Sequence, residues 1–370
     1  MRLRSSKIET LLLMTLLIGL VVGSATSAQV PAVNEAKEYF LDSPQASKYA
    51  VILTGPTIGE TNKNQFRQWA FSLHDILARD YGYTSESITL LYDRGETASI
   101  RDERIDGACD LQGIEQGLAQ LAGRVKTGDQ ITLYLIGHGS GAEEEAKFNI
   151  VGPDVTGAQF AELLDQLNEQ DIAIVNTTSA SYGFSTSLSG EGRVVISSTR
   201  SPSERYDPIF SRYFIEALDS RNGDRDKNNR VSMLEAFQYA KSNVEAWYEE
   251  QGRLASEHAG LDDNGDALFA LNPIIDDSDG RLAEIAYIDS AIDETSGLSP
   301  EARVLKARMQ ELERDVFILR GRKQDFLESD YWKEIELLLI DLAVATGKFE
   351  DATINGNKAE GDSTNGQSDE

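Results

Sequence analysis

Cysteine is almost missing from this chain: Cys109 stands alone among 370 residues. No internal disulfide can form, so stability has to come from a packed core, helped at most by a bound metal. A free cysteine of this kind reads as a small buried residue. Basic residues are also scarce. There are 35 Lys and Arg against 62 Asp and Glu, for a formal net charge of −27. Nucleic acid and anionic membrane both need a basic footprint, so neither is expected as a main partner. The acid excess favours solubility and suits cations. Long apolar runs are lacking too. The run Leu11–Val22 is short for a membrane span, which takes about 20 residues. It follows Arg2, Arg4 and Lys7 and precedes the small residues Gly23 to Ala28. That order predicts a secretory signal peptide over 1–28, cleaved after Ala28 or after Ala25, with an uncleaved anchor as the alternative. The cleaved chain would be secreted or periplasmic and free of membrane.

What remains is a globular composition, 40% apolar and 26% charged, long enough for one large α/β domain and an appendage. After a polar lead-in over 29–46, apolar runs predict strands at Tyr49–Thr54, Ile88–Tyr92, Ile131–Ile136, Ile172–Asn176 and Arg193–Ser198, with a short arm at Lys147–Ile150. Helical spacing predicts helices over Gln65–Tyr81, Ile114–Leu121, Thr156–Leu167, Ser211–Leu218 and Ser232–Gln251. This alternation implies βαβ units, a mostly parallel sheet covered on both faces, and a domain over 47–275. Beyond the acidic turn Asp276–Asp279 the pattern becomes purely helical. Leu282, Ile285 and Ile288 predict one helix, and Tyr331–Ala345 another. Between them Leu305, Leu312, Leu319 and Phe326 recur every seven residues, with Met309 and Val316 offset by four. Residues 281–346 therefore read as a helical hairpin or small bundle with a coiled-coil seam, and the polar residues 351–370 as a disordered acidic tail.

Chemistry concentrates at two strand ends. The strand Ile131–Ile136 leads into Gly137-His138-Gly139-Ser140, and Ile172–Asn176 leads into a loop of small hydroxylic residues holding Ser179, Ser181 and Gly183. In open α/β sheets, ligands bind beyond the carboxyl ends of the strands. The spacing places His138 and Ser179 at one sheet edge. His74, inside a helix, and His258, before an acidic turn, have no second ligand at metal spacing and read as structural.

In this order of elements the chain resembles the caspase–legumain superfamily of cysteine peptidases, closest to its legumain-like branch, over roughly residues 48–220. The resemblance rests on His138-Gly139 at a strand end, the small-residue loop about forty positions later, and the following strand with Val194–Glu204. It implies a caspase-like three-layer fold. It also implies that Ser179-Ala180-Ser181-Tyr182 stands where the family has Cys-x-Ser-Gly, so the nucleophilic cysteine is replaced by Ser179. His138 is then the counterpart of the general base and Gly139 N–H of an oxyanion donor, with Arg67 a candidate for the arginine of the substrate pocket. A serine hydroxyl stays protonated at neutral pH and needs an aligned base oriented by a third group. No Asp or Glu near these motifs offers itself as that group, and Tyr182 in place of glycine is expected to crowd the loop.

A second motif lies near the end of the α/β part. Asp224, Asp226, Asn228, Ser232 and Glu235 fall at positions 1, 3, 5, 9 and 12 of an EF-hand-type loop, with the Arg230 carbonyl at 7 and Val231 in the apolar slot at 8. Asn229 takes the place of the usual glycine and tolerates the left-handed conformation. The donors predict Ca2+ in a structural role; a solvated turn with Ser232 as helix cap is the alternative. Asp262-Asp263-Asn264-Gly265-Asp266 is a poorer version of the same pattern.

Three functional expectations follow. The first is a non-catalytic, exported peptidase homologue that binds a peptide or protein at the former active-site cleft. The second is an endopeptidase using Ser179 with His138 as base, and the third is an assembly or scaffold protein acting through the helical hairpin. Oligomeric state is left open.

Overall fold

The computed structural model describes residues 39–41, 46–56, 60–96, 101–167, 169–273, 279–289 and 298–364. The expected signal peptide, most of the lead-in and the last six residues lie outside these.

A six-stranded sheet forms the centre, in the order β2-β1-β3-β7-β8-β9. Its strands are β1 (Lys48–Thr54), β2 (Ile88–Tyr92), β3 (Gln130–Ile136), β7 (Asp171–Asn176), β8 (Arg193–Ser197) and β9 (Gly260–Asp262). All neighbours pair in parallel except β8 with β9. Three two-residue strands, β4 (Gly139–Ser140), β5 (Lys147–Phe148) and β6 (Val155–Thr156), form a small antiparallel sheet just after β3.

Alternation along each strand builds two cores. Ala50, Ile52, Tyr134, Ile136, Ala173, Val175, Val194 and Ile196 pack on one face, with helices α1 (Glu60–Asp80), α5 (Phe210–Leu218) and α6 (Met233–Glu250). Val51, Leu53, Ile131, Leu133, Leu135, Ile172, Ile174 and Val195 pack on the other, with α2 (Leu111–Ala122) and α3 (Gly157–Leu164). Strands buried on both faces leave no polar side to place, which is why their sequences are near-continuous apolar runs. Cys109 lies fully buried in the second core, where burial pushes its thiol pKa up and leaves it unreactive.

The C-terminal part departs from the sequence reading in three places. Helix α7 is only Arg281–Ile285, and Ala283, Ile285, Ala286 and Ile288 belong to the α/β core. The hairpin is therefore α8 (Pro300–Gly321) against α9 (Glu328–Thr364). Leu312 and Leu319 are buried on α8 and Leu305 partly so, but Phe326 falls past the helix end, in the turn to α9. A heptad cannot mark its own end; the break at Gly321 and Arg322 does. Helix α9 also runs to Thr364, through much of the stretch whose composition predicts disorder, because a helix once nucleated extends at little cost per residue.

One buried cluster joins the hairpin to the sheet domain. Arg230 is 1% exposed. Its Nε donates to Asp289 Oδ1 at 2.9 Å, its guanidinium lies 3.6 Å from the Tyr287 ring centre, and Glu313 of α8 is 3.9 Å away. Lys306, also on α8, reaches Asp289 at 3.8 Å. Lys48 Nζ and Gln130 Nε2 both donate to the Tyr287 carbonyl, which ties the same segment to β1 and β3. Removing one member leaves opposite charges buried without their partner. Arg230→Ala is expected to lower stability by about 3–5 kcal/mol, read as the shift in a urea unfolding midpoint. Arg308→Ala, which removes an exposed pair with Glu311, is expected to leave the midpoint in place.

Candidate functional site

The site follows from strand register. Leu135 of β3 pairs with Asn176 of β7. His138 lies three residues past the first and Ser179 three past the second, so both emerge at the same edge. Strand order reverses one strand over, between β1 and β3, with β2 on one side of β1 and β3 on the other; ligands of open α/β sheets bind beyond the carboxyl ends of the strands near such a switch point.

The two loops interlock through the backbone. Ser179 is 4% exposed. Its Oγ accepts from Gly139 N–H at 3.0 Å and donates to the Gly139 carbonyl at 3.2 Å. A Cβ on residue 139 would sit 1.9 Å from the Ser179 carbonyl oxygen, so only glycine fits. The expected oxyanion donor, Gly139 N–H, is therefore engaged by the very hydroxyl it would serve. Ala180 adopts a left-handed conformation (φ 54°) and turns the chain sharply into α4 (Ser181–Thr186). Such a backbone costs of order 1 kcal/mol and persists where its surroundings dictate it. Here they do. Ser181 Oγ bonds Ser198 Oγ at 3.0 Å and Thr199 Oγ1 at 2.9 Å and accepts from Thr199 N–H at 3.1 Å, all of it buried. Tyr182 turns away to meet Phe269 edge-on at 5.8 Å between ring centres, and its N–H donates to Thr199 Oγ1. The residue expected to crowd the loop packs beside it instead.

His138 does have an orienting carboxylate. Its Nδ1 lies 2.7 Å from Asp207 Oδ1, and the Phe66 ring stands edge-on to the imidazole at 5.1 Å between centres. Asp207 sits in the loop after β8, far along the chain from His138, and no spacing rule points to it. The same loop is fixed by Glu204. Its carbonyl accepts from Ala180 N–H at 3.3 Å, and its carboxylate meets His258 Nδ1 at 2.6 Å and accepts from the N–H groups of His258 and Arg200. His258 thus holds the loop that holds the site. Glu257 closes the loop's far end by accepting from Ile209 and Phe210 N–H; burial raises its pKa to about 7. His74 pairs with the adjacent Asp75.

Arg67 is drawn off toward other partners. It lies 4.0 Å from Asp102 and 5.1 Å from the Phe71 ring centre. Asp102 is also held by Arg104, whose hydrogen bonds keep its pKa down at about 2.

The calcium-type loop brings one ligand oxygen from each of Asp224, Asp226 and Glu235 within 4.8 Å of one another. Asn229 takes the left-handed turn at φ 64°. Asp224 Oδ1 has no solvent contact and no hydrogen-bond partner. Desolvation within the cluster, and then the neighbouring Glu235 carboxylate, push the Asp226 pKa up. A set of hard oxygens under that repulsion fits a divalent cation. Among the remaining predicted donors, Asn228 Oδ1 accepts from Arg230 N–H, and Ser232 caps α6 in a reciprocal box with Glu235. The Arg230 side chain points into the cluster at the hairpin, leaving only its carbonyl for the loop. The poorer candidate is a backbone-capping turn: Asp262 accepts from Asn264, Gly265 and Ala267 N–H, while Asp263 accepts from Gly280 and Ala283 N–H at the start of α7.

Among the described residues, no helix is long and apolar enough to cross a membrane. Compared with protein-family models and with curated proteins, the chain matches none.

Calcium titrated into the purified protein is expected to bind with measurable heat and to raise the melting temperature. Asp226→Asn and Glu235→Gln should each remove both effects. A flat titration of the wild type would show the loop to be a capped turn only.

Proposed function

We propose that this chain is an exported, legumain-like peptidase homologue that binds a peptide or protein segment at the edge formed by His138, Gly139 and Ser179 without cleaving it. One observation carries the reading: the Ser179 hydroxyl donates its hydrogen bond to the Gly139 carbonyl and accepts one from the Gly139 N–H. A nucleophilic serine works by giving that proton to a base while the amide awaits the oxyanion. Here both groups are spent on each other, and the serine serves to brace the two loops. What this leaves is a sheet edge beyond β3 and β7, held rigid by buried hydroxyls and by Glu204. Such rigidity lowers the ordering cost of capturing an extended segment. A Ca2+ ion at Asp224, Asp226 and Glu235 fits this reading as a structural brace.

Asp207 supports a second reading. With its carboxylate on Nδ1, His138 is oriented as the base of a serine triad is. Hydrolysis would need the Ser179 hydroxyl to swing off the Gly139 carbonyl, pass its proton to His138, and attack the peptide carbonyl through Oγ.

Exposure of a diverse peptide library to wild type, Ser179→Ala, Ser179→Trp, His138→Ala and Asp207→Asn, read by mass spectrometry, separates the two. Under the binding reading wild type leaves the library intact but retains a subset of peptides, and Ser179→Trp loses them. Cleavage by wild type that disappears in both Ser179→Ala and His138→Ala, and falls roughly ten-thousandfold in Asp207→Asn, would establish hydrolysis instead.

A further inference from the structure

The loop between β8 and α5 is a strap tied down at both ends by two consecutive residues, Glu257 and His258. At one end the buried Glu204 meets His258 Nδ1 at 2.6 Å and accepts from the His258 N–H. At the other end Glu257 accepts from Ile209 N–H at 2.9 Å and from Phe210 N–H at 3.1 Å. Between the ties Arg205, Tyr206 and Asp207 are exposed, and Asp207 lies 2.7 Å from His138 Nδ1.

The contacts at His258, His138 and Glu257 can each take up a proton, and each gains from it in the same direction. A proton on either histidine turns its bond to Glu204 or Asp207 into an ion pair. Glu257 is 3% exposed. Burial raises its pKa to about 7, and the nearby Glu204 carboxylate adds to the rise, while the Ile209 and Phe210 amides and the Tyr248 hydroxyl oppose it. Opening the strap would hydrate Glu257 and return it toward the ordinary carboxylate range. The closed strap thus holds this proton more tightly than the open one. Closure is favoured at low pH, and the advantage is lost as pH rises toward 7, by up to about tenfold in the ratio of closed to open per pH unit. The other groups at the ties keep their charge over this range. Arg200 Nε stays cationic 3.4 Å from Glu204 Oε1, and the Tyr248 hydroxyl of α6 stays neutral as it donates to Glu257 Oε1 at 3.1 Å.

We infer that the strap carrying Asp207 is a pH-operated clamp, held closed on His138 by Glu257 and His258 in mildly acidic solution and released as the solution turns alkaline. The inference rests on how the strap is tied, and it holds whether the edge binds peptides or cleaves them.

A trifluoromethyl label on Tyr206→Cys in the full chain, followed by fluorine NMR from about pH 5 to about pH 8.5, tests it. Tyr206 is 73% exposed, and Cys109 is buried away from the label. The expected result is a broad signal of an ordered strap in acid. It gives way to a narrow signal of a mobile one as pH approaches and passes 7, with circular dichroism unchanged. Glu257→Gln keeps a carbonyl for the amides but cannot ionise. It should raise the ratio of ordered to mobile strap at the alkaline end about tenfold or more over wild type. His258→Ala should bring the narrow signal into the acid range. A wild-type signal indifferent to pH overturns the inference. So does a transition that survives unchanged in Glu257→Gln, or one that appears only where circular dichroism reports unfolding. An ordered signal untouched by His258→Ala at every pH removes His258 from the clamp.

Discussion

Everything at the candidate site depends on the parallel pairing of β3 with β7. That ladder fixes Leu135 opposite Asn176, and the two loops then leave the sheet in step. A slip by one residue would turn the apolar side chains of β7 to the wrong core, so the register is held by the whole buried face of both strands. The chemistry-bearing residues inherit that precision without contributing to it. Gly139 and the Ser179 carbonyl approach so closely because two strands already fixed by the cores leave no other path.

Around this junction the molecule uses three kinds of polar attachment. Buried hydroxyls on Ser181, Ser198 and Thr199 fasten the start of α4 to the end of β8. Carboxylates on Glu204 and Glu257 collect backbone amides and pin the loop after β8 at both ends. Asp207, between these anchors, meets His138. The result is a preorganised edge whose groups satisfy one another. Under the reading proposed above that arrangement serves recognition, whereas hydrolysis would require the same groups to exchange partners.

Much of this was legible in the sequence, because it follows from periodicity. The buried parallel strands announce themselves as apolar runs, and the glycines after β3 announce the turn that frees His138. The acidic loop was readable because its donors lie within twelve consecutive residues. The missed features have no local signature. Asp207 reaches His138 only through the folding of the sheet, and Glu204 and His258 meet in the same way. Helix α4 is six residues of small and hydroxylic character, too short to show a helical period. Residues near α7 read as part of the hairpin because three apolar residues at helical spacing look alike whether they face a partner helix or a sheet. Only contact with α6 and the strands decides.

Arg230 carries a consequence beyond its own cluster. Its backbone belongs to the acidic loop, while its side chain is sealed between Tyr287, Asp289 and α8. The neighbouring backbone pairs with the same segment, Met233 N–H to the Ala286 carbonyl and Ile288 N–H to the Val231 carbonyl. Withdrawing the guanidinium would strand buried charge, so the loop cannot open while the hairpin stays seated. The two are one cooperative unit, a single foldon in which the acidic loop at one end and the docked helix at the other share the same free energy of opening.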